Sequence, residues 1–131
     1  MSKKFEELKE VFGKLLSPDG CPWDRAQTHA TLLKYLREET KEFCDAVKSG
    51  SDENMKEELG DILLQVMFHS RLAENEGRFD IEDVIETLIK KLRRRHPHVF
   101  SNKKNRPQIN SPEEVVKHWN RIKRKEKNEI K

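Results

Sequence analysis

Two acidic segments lie on stretches of the sequence that otherwise show the apolar periodicity of buried helices. EETKE occupies residues 38–42, and EELGD occupies residues 57–61. If residues 32–47 form one helix, its apolar side chains share a face, and Glu39 falls in the middle of that face. The face consists of Leu32, Leu36, Phe43, Ala46 and Val47. Because a buried carboxylate is costly unless it is paired or binds a cation, Glu39 constrains how this helix can pack.

The second acidic segment lies on a stretch, residues 55–73, that has two apolar surfaces. Leu64 and Phe68 lie nearly opposite the main apolar face, and a polar strip runs between the two surfaces. The main face consists of Met55, Leu59, Ile62, Leu63, Val66 and Met67, and the strip of Glu58, Asp61, Gln65 and His69. Since one small domain can hardly cover both surfaces, we expect a homodimer or a higher homo-oligomer.

The polar connection KSGSDEN, residues 48–54, is short enough to make the two acidic helices antiparallel neighbours. Four carboxylates would then converge, and they would repel each other strongly unless a divalent cation neutralised them. Oxygen-only ligands favour a hard ion such as Mg²⁺, which binds carboxylates together with substrate phosphates. The pattern therefore indicates a phosphate ester or anhydride as substrate. An EExxE segment alone is typical of a solvated helix surface, but the two acidic segments together, each on an apolar helix, favour the metal site.

The composition favours a single all-helical domain over residues 1–131 with a modest core. Only 34% of the residues are hydrophobic and 39% are charged, while glycine and proline are few. No stretch has the length and apolarity of a membrane span, and the N-terminal segment resembles neither a signal nor a transit peptide, so we expect a cytoplasmic protein. Cys21 and Cys44 lack the spacing of metal ligands and are expected to be reduced.

Three further helices are expected around the acidic pair. The first begins at residue 2 or 3, ends at residue 16, and faces inward with Phe5, Leu8, Val11 or Phe12, and Leu15. Another follows an N-cap at Asp80 and faces inward with Ile81, Val84 or Ile85, Leu88 and Leu92. The last begins at Ser111-Pro112, and residues 119–131 form its end and a charged tail that should fray. In the ordered loop at 21–24, Trp23 fits either the wall of a base or sugar pocket or a plug in the core.

Residues 90–98, KKLRRRHPH, hold the densest positive charge in the chain. Cations at a helix C-terminus are stabilising in themselves. Such a dense cluster nevertheless favours phosphate binding, because one arginine can bind two phosphate oxygens at once. His96 and His98 are not expected to bind metal, because the proline between them forces an extended backbone. A nucleic-acid-binding module is the alternative, but a net charge of +3 beside acidic helices would make a poor duplex binder.

Several blocks of the sequence resemble MazG-type nucleoside triphosphate pyrophosphohydrolases, in the all-α NTP pyrophosphatase superfamily. The acidic signature of that family is matched by Glu38-Glu39-x-x-Glu42 and Glu58-x-x-Asp61. Longer similar blocks are DGCPWDRAQTHATL at 19–32, EELGDILLQVMFHSRLAE at 57–74, GRFDIEDV at 77–84, KLRRRHPHVF at 91–100 and PEEVVKHW at 112–119. The best-known members carry two such domains in tandem and this chain has one, so regulation between domains is not carried over. The resemblance implies a bundle of four to five helices, completed by oligomerisation.

The resemblance also implies Mg²⁺-dependent hydrolysis of an NTP or dNTP to the monophosphate and pyrophosphate, with Mn²⁺ as a substitute. The family's metal ligands match Glu39, Glu42, Glu58 and Asp61. Glu38 matches a supporting acid or the base that activates water, which makes Glu38 and Glu39 the catalytic pair. Substrate-binding positions match Lys91, Arg94, Arg95 and Trp119, and less closely Tyr35, Asn54 and Lys56. A promiscuous house-cleaning enzyme and a specialised dUTPase-like or phosphoribosyl-ATP pyrophosphohydrolase-like enzyme both fit.

Overall fold

The computed structural model describes residues 2–102, 104, 106 and 108–130, and in this part of the chain every regular element is a helix. The elements are α1 (Lys3–Leu15), α2 (Pro22–Arg25), α3 (His29–Ser49), α4 (Asp52–Asn75), α5 (Ile81–Arg95), α6 (Pro97–Phe100) and α7 (Pro112–Ile130). The predicted all-α class is therefore confirmed. Within the described residues, no helix has the length and apolarity needed to cross a membrane.

Packing of the backbone divides the chain into two compact units, Met1–Ile81 and Glu82–Lys131. The first unit holds α1 to α4, and the second holds nearly all of α5 together with α6 and α7. The long helices are those that the sequence predicts. The short helices α2 and α6 occupy segments for which the sequence predicts a loop and an extended backbone.

Helices α3 and α4 form a hairpin whose ends are determined by local capping. Thr28 caps α3: its side chain accepts a hydrogen bond from the Thr31 backbone, and the Thr31 side chain accepts one from the Thr28 backbone. Gly50 ends α3 in the left-handed conformation at φ 71°, and the Ser51 side chain caps α4. Because only these two residues connect the helices, α4 must fold back beside α3.

Contacts between α3 and α4 give the register of the hairpin. His29 lies against His69 at the open end, and Glu42 lies near Glu58 towards the connection. As the residue number rises along α3, the number of the facing residue on α4 therefore falls. The predicted antiparallel pairing of the two acidic helices is confirmed.

The core of the first unit lies where α1 packs on α4. Phe12 and Phe68 pack edge to face, with ring centroids 5.9 Å apart, and Phe68 is only 3% exposed. The interpretation of Phe68 as part of an uncovered surface is therefore wrong, because α1 covers it. Instead, several residues of the expected main face are exposed, namely Leu59, Leu63 and Val66. Helical periodicity gives the direction of a side chain but does not say which surface a neighbouring helix will cover.

A polar network closes the open end of the hairpin. The Nδ1 atoms of His29 and His69 are 2.8 Å apart, and the rings stack with centroids 5.0 Å apart. Glu76 accepts hydrogen bonds at 3.0 Å from His29 and from Arg78. Burial, reinforced by His29, lowers the pKa of His69, and the hydrogen bonds from His29 and Arg78 lower the pKa of Glu76. The network ties the start of α3 to the end of α4 far from the acidic segments.

The second unit departs from the sequence predictions in three places. α7 continues as a helix to Ile130, so the charged tail extends the helix where fraying was expected. Only His96 in the His-Pro-His segment lies outside a helix, because Pro97 begins α6 at a position that tolerates proline. Leu88 and Leu92 were expected to face inward, but both are exposed.

Candidate metal centre

Four carboxylates converge in the middle of the α3–α4 hairpin. Glu39 and Glu42 lie one turn apart on α3, and Glu58 and Asp61 lie one turn apart on α4. Each offers an oxygen atom, and these four atoms all lie within 4.8 Å of one another. The structure thus brings together the four residues that the sequence assigns to metal binding. Glu38, the proposed base, is exposed and lies outside this group.

The electrostatics of the cluster show an excess of negative charge. Burial, reinforced by Asp61 and Glu42, raises the pKa of Glu39 to about 7. Loss of water, followed by the charge of Glu42, also raises the pKa of Glu58. Both residues hold a buried Oε2 atom without a hydrogen-bond partner. Unpartnered carboxylate oxygens with elevated pKa values fit a hard divalent cation, which would supply the missing positive charge.

A cavity of about 210 Å³ opens beside Glu39. Tyr35 on α3 and Trp23 on α2 line it, and their rings pack edge to face with centroids 5.6 Å apart. Trp23 is 51% exposed, so it does not plug the core. The structure therefore places Tyr35, a weaker sequence candidate, next to a metal-ligand candidate.

Gln65 is a lining residue of the same cavity that sequence reasoning assigned to no function. It is 4% exposed, and its Oε1 atom has no hydrogen-bond partner. Its position one helical turn after Asp61 was visible in the sequence, as part of the polar strip of α4. The sequence could not show that its Oε1 atom lacks a hydrogen-bond partner, because this depends on which residues pack around Gln65.

Asn54 and Lys56 lie near the start of α4, and both are exposed. The Nζ atom of Lys56 lies 3.0 Å from Glu53 Oε1, where it forms an ion pair on the surface of the helix. These two sequence candidates are therefore solvent-accessible, and neither belongs to the group of four carboxylates.

The cationic candidates lie in the second unit, where Glu126 of α7 binds two of them. Arg94 donates to one oxygen of Glu126, and Arg95 donates to the other at 2.9 Å. These hydrogen bonds lower the pKa of Glu126 to about 2. The guanidinium of Arg95 also lies over the ring of Trp119, 5.0 Å from its centroid. Sequence reasoning missed Glu126, because it lies in a tail expected to fray. Lys91, the remaining cationic candidate, is half-buried.

The fold and the site together define a class: an all-helical protein with a carboxylate site suited to a hard divalent cation. The family model of the MazG nucleotide pyrophosphohydrolase domain matches residues 27–100. This range is more than half of the chain and includes all four carboxylates. The chain belongs to the MazG nucleotide pyrophosphohydrolase family.

Known proteins agree with this assignment. The chain is 51% identical to the nucleoside triphosphate pyrophosphohydrolase/pyrophosphatase MazG of Thermotoga maritima, over 97% of the chain and 47% of that protein. It is 39% identical to the nucleoside triphosphate pyrophosphohydrolase of Escherichia coli, over 95% of the chain and 46% of that protein. The chain thus spans about half the length of these relatives. The crystal structure of a mazG-related protein from Thermotoga maritima superimposes with a TM-score of 0.72 at 30% identity, covering 91% of this chain and 98% of the other.

Proposed function

We propose that the chain is a Mg²⁺-dependent hydrolase that converts nucleoside triphosphates into nucleoside monophosphates and pyrophosphate. The observation that carries this proposal is the cluster of four carboxylates with two unpartnered oxygens. The names of the Thermotoga maritima and Escherichia coli relatives support the substrate class. An all-oxygen ligand set favours Mg²⁺ over softer ions, and Mn²⁺, which prefers the same ligands, should substitute for it.

In the proposed reaction the oxygen of a water molecule forms a bond to phosphorus, and the bridging phosphorus–oxygen bond breaks as pyrophosphate leaves. The chemistry supplied by bound Mg²⁺ is neutralisation of phosphate charge and acidification of water. Glu38 accepts the proton that the water loses. Lys91, Arg94 and Arg95 bind phosphate oxygens and stabilise the charge of the leaving group. Further substrate contacts are proposed for Tyr35, Asn54, Lys56 and Trp119.

A pyrophosphate-release assay with a panel of ribo- and deoxyribonucleoside triphosphates tests the proposal. We expect release from many members of the panel with Mg²⁺ and none after chelation with EDTA. Such breadth would fit a house-cleaning role in the cytoplasm, which is part of our proposal. Release from dUTP or phosphoribosyl-ATP alone would favour the specialised alternative, and no release from any substrate would reject the proposal.

We also propose that the protein assembles as a homodimer through α4, with the active site near the interface. Exposed apolar residues recur along this helix at Leu59, Leu63 and Val66, which supports a partner helix on that face. Replacing Leu63 by glutamate should yield monomers at micromolar concentration, because a charge would be buried in the interface. Light scattering measures this, and a wild-type protein that is already monomeric would contradict the proposal.

A further inference from the structure

Glu126 joins two of the cationic residues that the proposed function assigns to phosphate. One of its oxygens accepts a hydrogen bond from Nε of Arg94, and the other accepts one from a terminal nitrogen of Arg95 at 2.9 Å. A single carboxylate therefore holds two guanidinium groups side by side. Without it their like charges would repel each other, and each side chain could turn away into solvent.

The backbone of α7 holds Glu126 in this place. Trp119, Ile122 and Glu126 lie on one face of the helix, and the side chain of Glu126 is only 18% exposed. Trp119 also contacts Arg95, whose guanidinium lies 5.0 Å from the centroid of the indole ring. Arg95 is thus held by a carboxylate at its edge and by an aromatic ring at its face. Because both supports belong to one helix, their spacing is fixed.

The contact with Glu126 leaves the end of the Arg94 side chain open. Glu126 accepts the Nε–H of Arg94, so the two terminal nitrogens keep their N–H donors for another acceptor. These two nitrogens form the fork that can bind two oxygens of one phosphate group. The Arg94 side chain is half exposed, so a ligand in solvent can reach the fork. A carboxylate that merely took the place of phosphate would instead occupy the fork itself.

The charge of this group of residues still suits an anion. Two arginines and one carboxylate leave a surplus of positive charge, and Lys91 and Arg93 of α5 add to it. Glu126 stays ionised at neutral pH, because the hydrogen bonds from the two arginines lower its pKa to about 2. Glu126 therefore holds the arginines without cancelling their attraction for phosphate.

We infer that Glu126 is a positioning residue for phosphate binding: it holds Arg94 and Arg95 at a fixed spacing, with the fork of Arg94 open to phosphate oxygens. The inference rests on the proposed function, since it assumes that these two arginines bind the phosphates. Glu126 itself does not touch the substrate. Its contribution is preorganisation, because side chains that are already ordered in the free protein lose less conformational entropy when the ligand binds.

Calorimetric binding of inorganic pyrophosphate in the presence of Mg²⁺ tests this inference without turnover. Glu126→Gln places an N–H donor where one of the arginines needs an acceptor, so that arginine is released. We expect the affinity for pyrophosphate to fall about tenfold, and the KM for nucleoside triphosphates to rise by a similar factor. Glu126→Asp keeps both oxygens on a shorter side chain, and its affinity should lie between those of Glu126→Gln and the wild type.

Glu129→Gln is the matched control, because it removes the same charge from the same helix. The hydrogen bond to Glu126 raises the pKa of Arg94 most, and the charge of the exposed Glu129 adds to this effect. Loss of a negative charge beside cations should by itself tighten the binding of an anion. Glu129→Gln should therefore leave the affinity for pyrophosphate unchanged or slightly raised, whereas Glu126→Gln should lower it.

Two further measurements separate positioning from a purely structural role. All affinities are measured well below the thermal midpoint, where a structural role of Glu126 would leave the binding by the folded protein unchanged. In the Arg94→Ala background one of the two arginines is already gone. Glu126→Gln should then weaken pyrophosphate binding by a smaller factor than it does in the wild type.

The inference would be overturned if Glu126→Gln bound pyrophosphate as tightly as the wild type, or more tightly. It would equally be overturned if Glu129→Gln weakened binding by the same factor, if Glu126→Gln had the same effect with and without Arg94, or if the wild type did not bind pyrophosphate. Absence of pyrophosphate release from all triphosphates would instead reject the proposed hydrolysis, and an affinity for pyrophosphate that depends on Glu126 would then still stand.

Discussion

Replacing Glu39 by glutamine should abolish pyrophosphate release while the protein remains folded. Glu39 is the carboxylate with the most strongly perturbed pKa in the cluster, and its Oε2 atom has no partner other than the cation that we propose. Changes to residues that merely support metal ligands typically cost about 10–100-fold in affinity or activity, so loss of a ligand should cost more than about 100-fold. Asp61→Asn, on the opposite helix, should have the same effect.

Stability should change in the opposite direction from activity. In the metal-free protein the neutral amide of Glu39→Gln removes like-charge repulsion from Asp61 and Glu42, so the thermal midpoint in EDTA should be unchanged or raised. Mg²⁺ should raise the midpoint of the wild type and raise that of the variant less, because a ligand stabilises the state that binds it. Asp45→Asn, an exposed position on α3, is the control and should keep full activity. If Glu39→Gln or Asp61→Asn kept wild-type turnover at saturating Mg²⁺, the residue replaced would not be a metal ligand.

The carboxylate cluster could be predicted from the sequence because each step of the argument is local. Helical periodicity placed Glu39 on an apolar face, and a short connection with Gly50 at its start made α4 return beside α3. Two local rules thus predicted that the two acidic segments lie side by side in the hairpin, and the structure adds that Glu42 lies near Glu58. Because the cluster holds four acidic side chains, the sequence then indicated a divalent cation as its ligand.

The features that sequence reasoning missed depend on contacts between distant parts of the chain. Phe68 was assigned to an open surface because nothing in α4 indicates that Phe12, 56 positions earlier in the chain, will cover it. Gln65 was recognised as polar, but only the packed structure shows that its oxygen lacks a partner. Glu126 lies in a charged tail whose composition resembles that of a frayed helix, and its two arginine partners come from α5.

Arg94→Ala should raise the KM for nucleoside triphosphates with little loss of stability. The Arg94 side chain is 50% exposed, and Arg95 still binds Glu126 when Arg94 is gone. If Arg94 binds phosphate, loss of this charged hydrogen bond should raise KM roughly tenfold, and kcat should fall as well if the contact tightens in the transition state. Arg93→Ala, the exposed neighbour on α5, is the control.

Arg95→Ala should give a different result, because Arg95 is 14% exposed and lies between Glu126 and the ring of Trp119. Its loss removes both contacts, so the thermal midpoint should fall more than in Arg94→Ala. Kinetics and thermal midpoints of both variants separate phosphate binding from stabilisation of the helix end. If both variants had normal KM and kcat together with lowered midpoints, the proposal that Arg94 and Arg95 bind phosphate would be wrong.

An acid titration tests the structural role of Glu126 independently of any substrate. Its folded-state pKa of about 2 lies below its ordinary value of 4.5, because Arg94 and Arg95 donate hydrogen bonds to the ionised form. The stabilisation from this pairing is therefore fully present above pH 4.5 and is lost as the pH falls towards about 2. The midpoint of the wild type should exceed that of Glu126→Gln at neutral pH, and this difference should shrink below pH 4.5. A difference that stays constant across this range would show that the two arginines do not hold Glu126 in its ionised form.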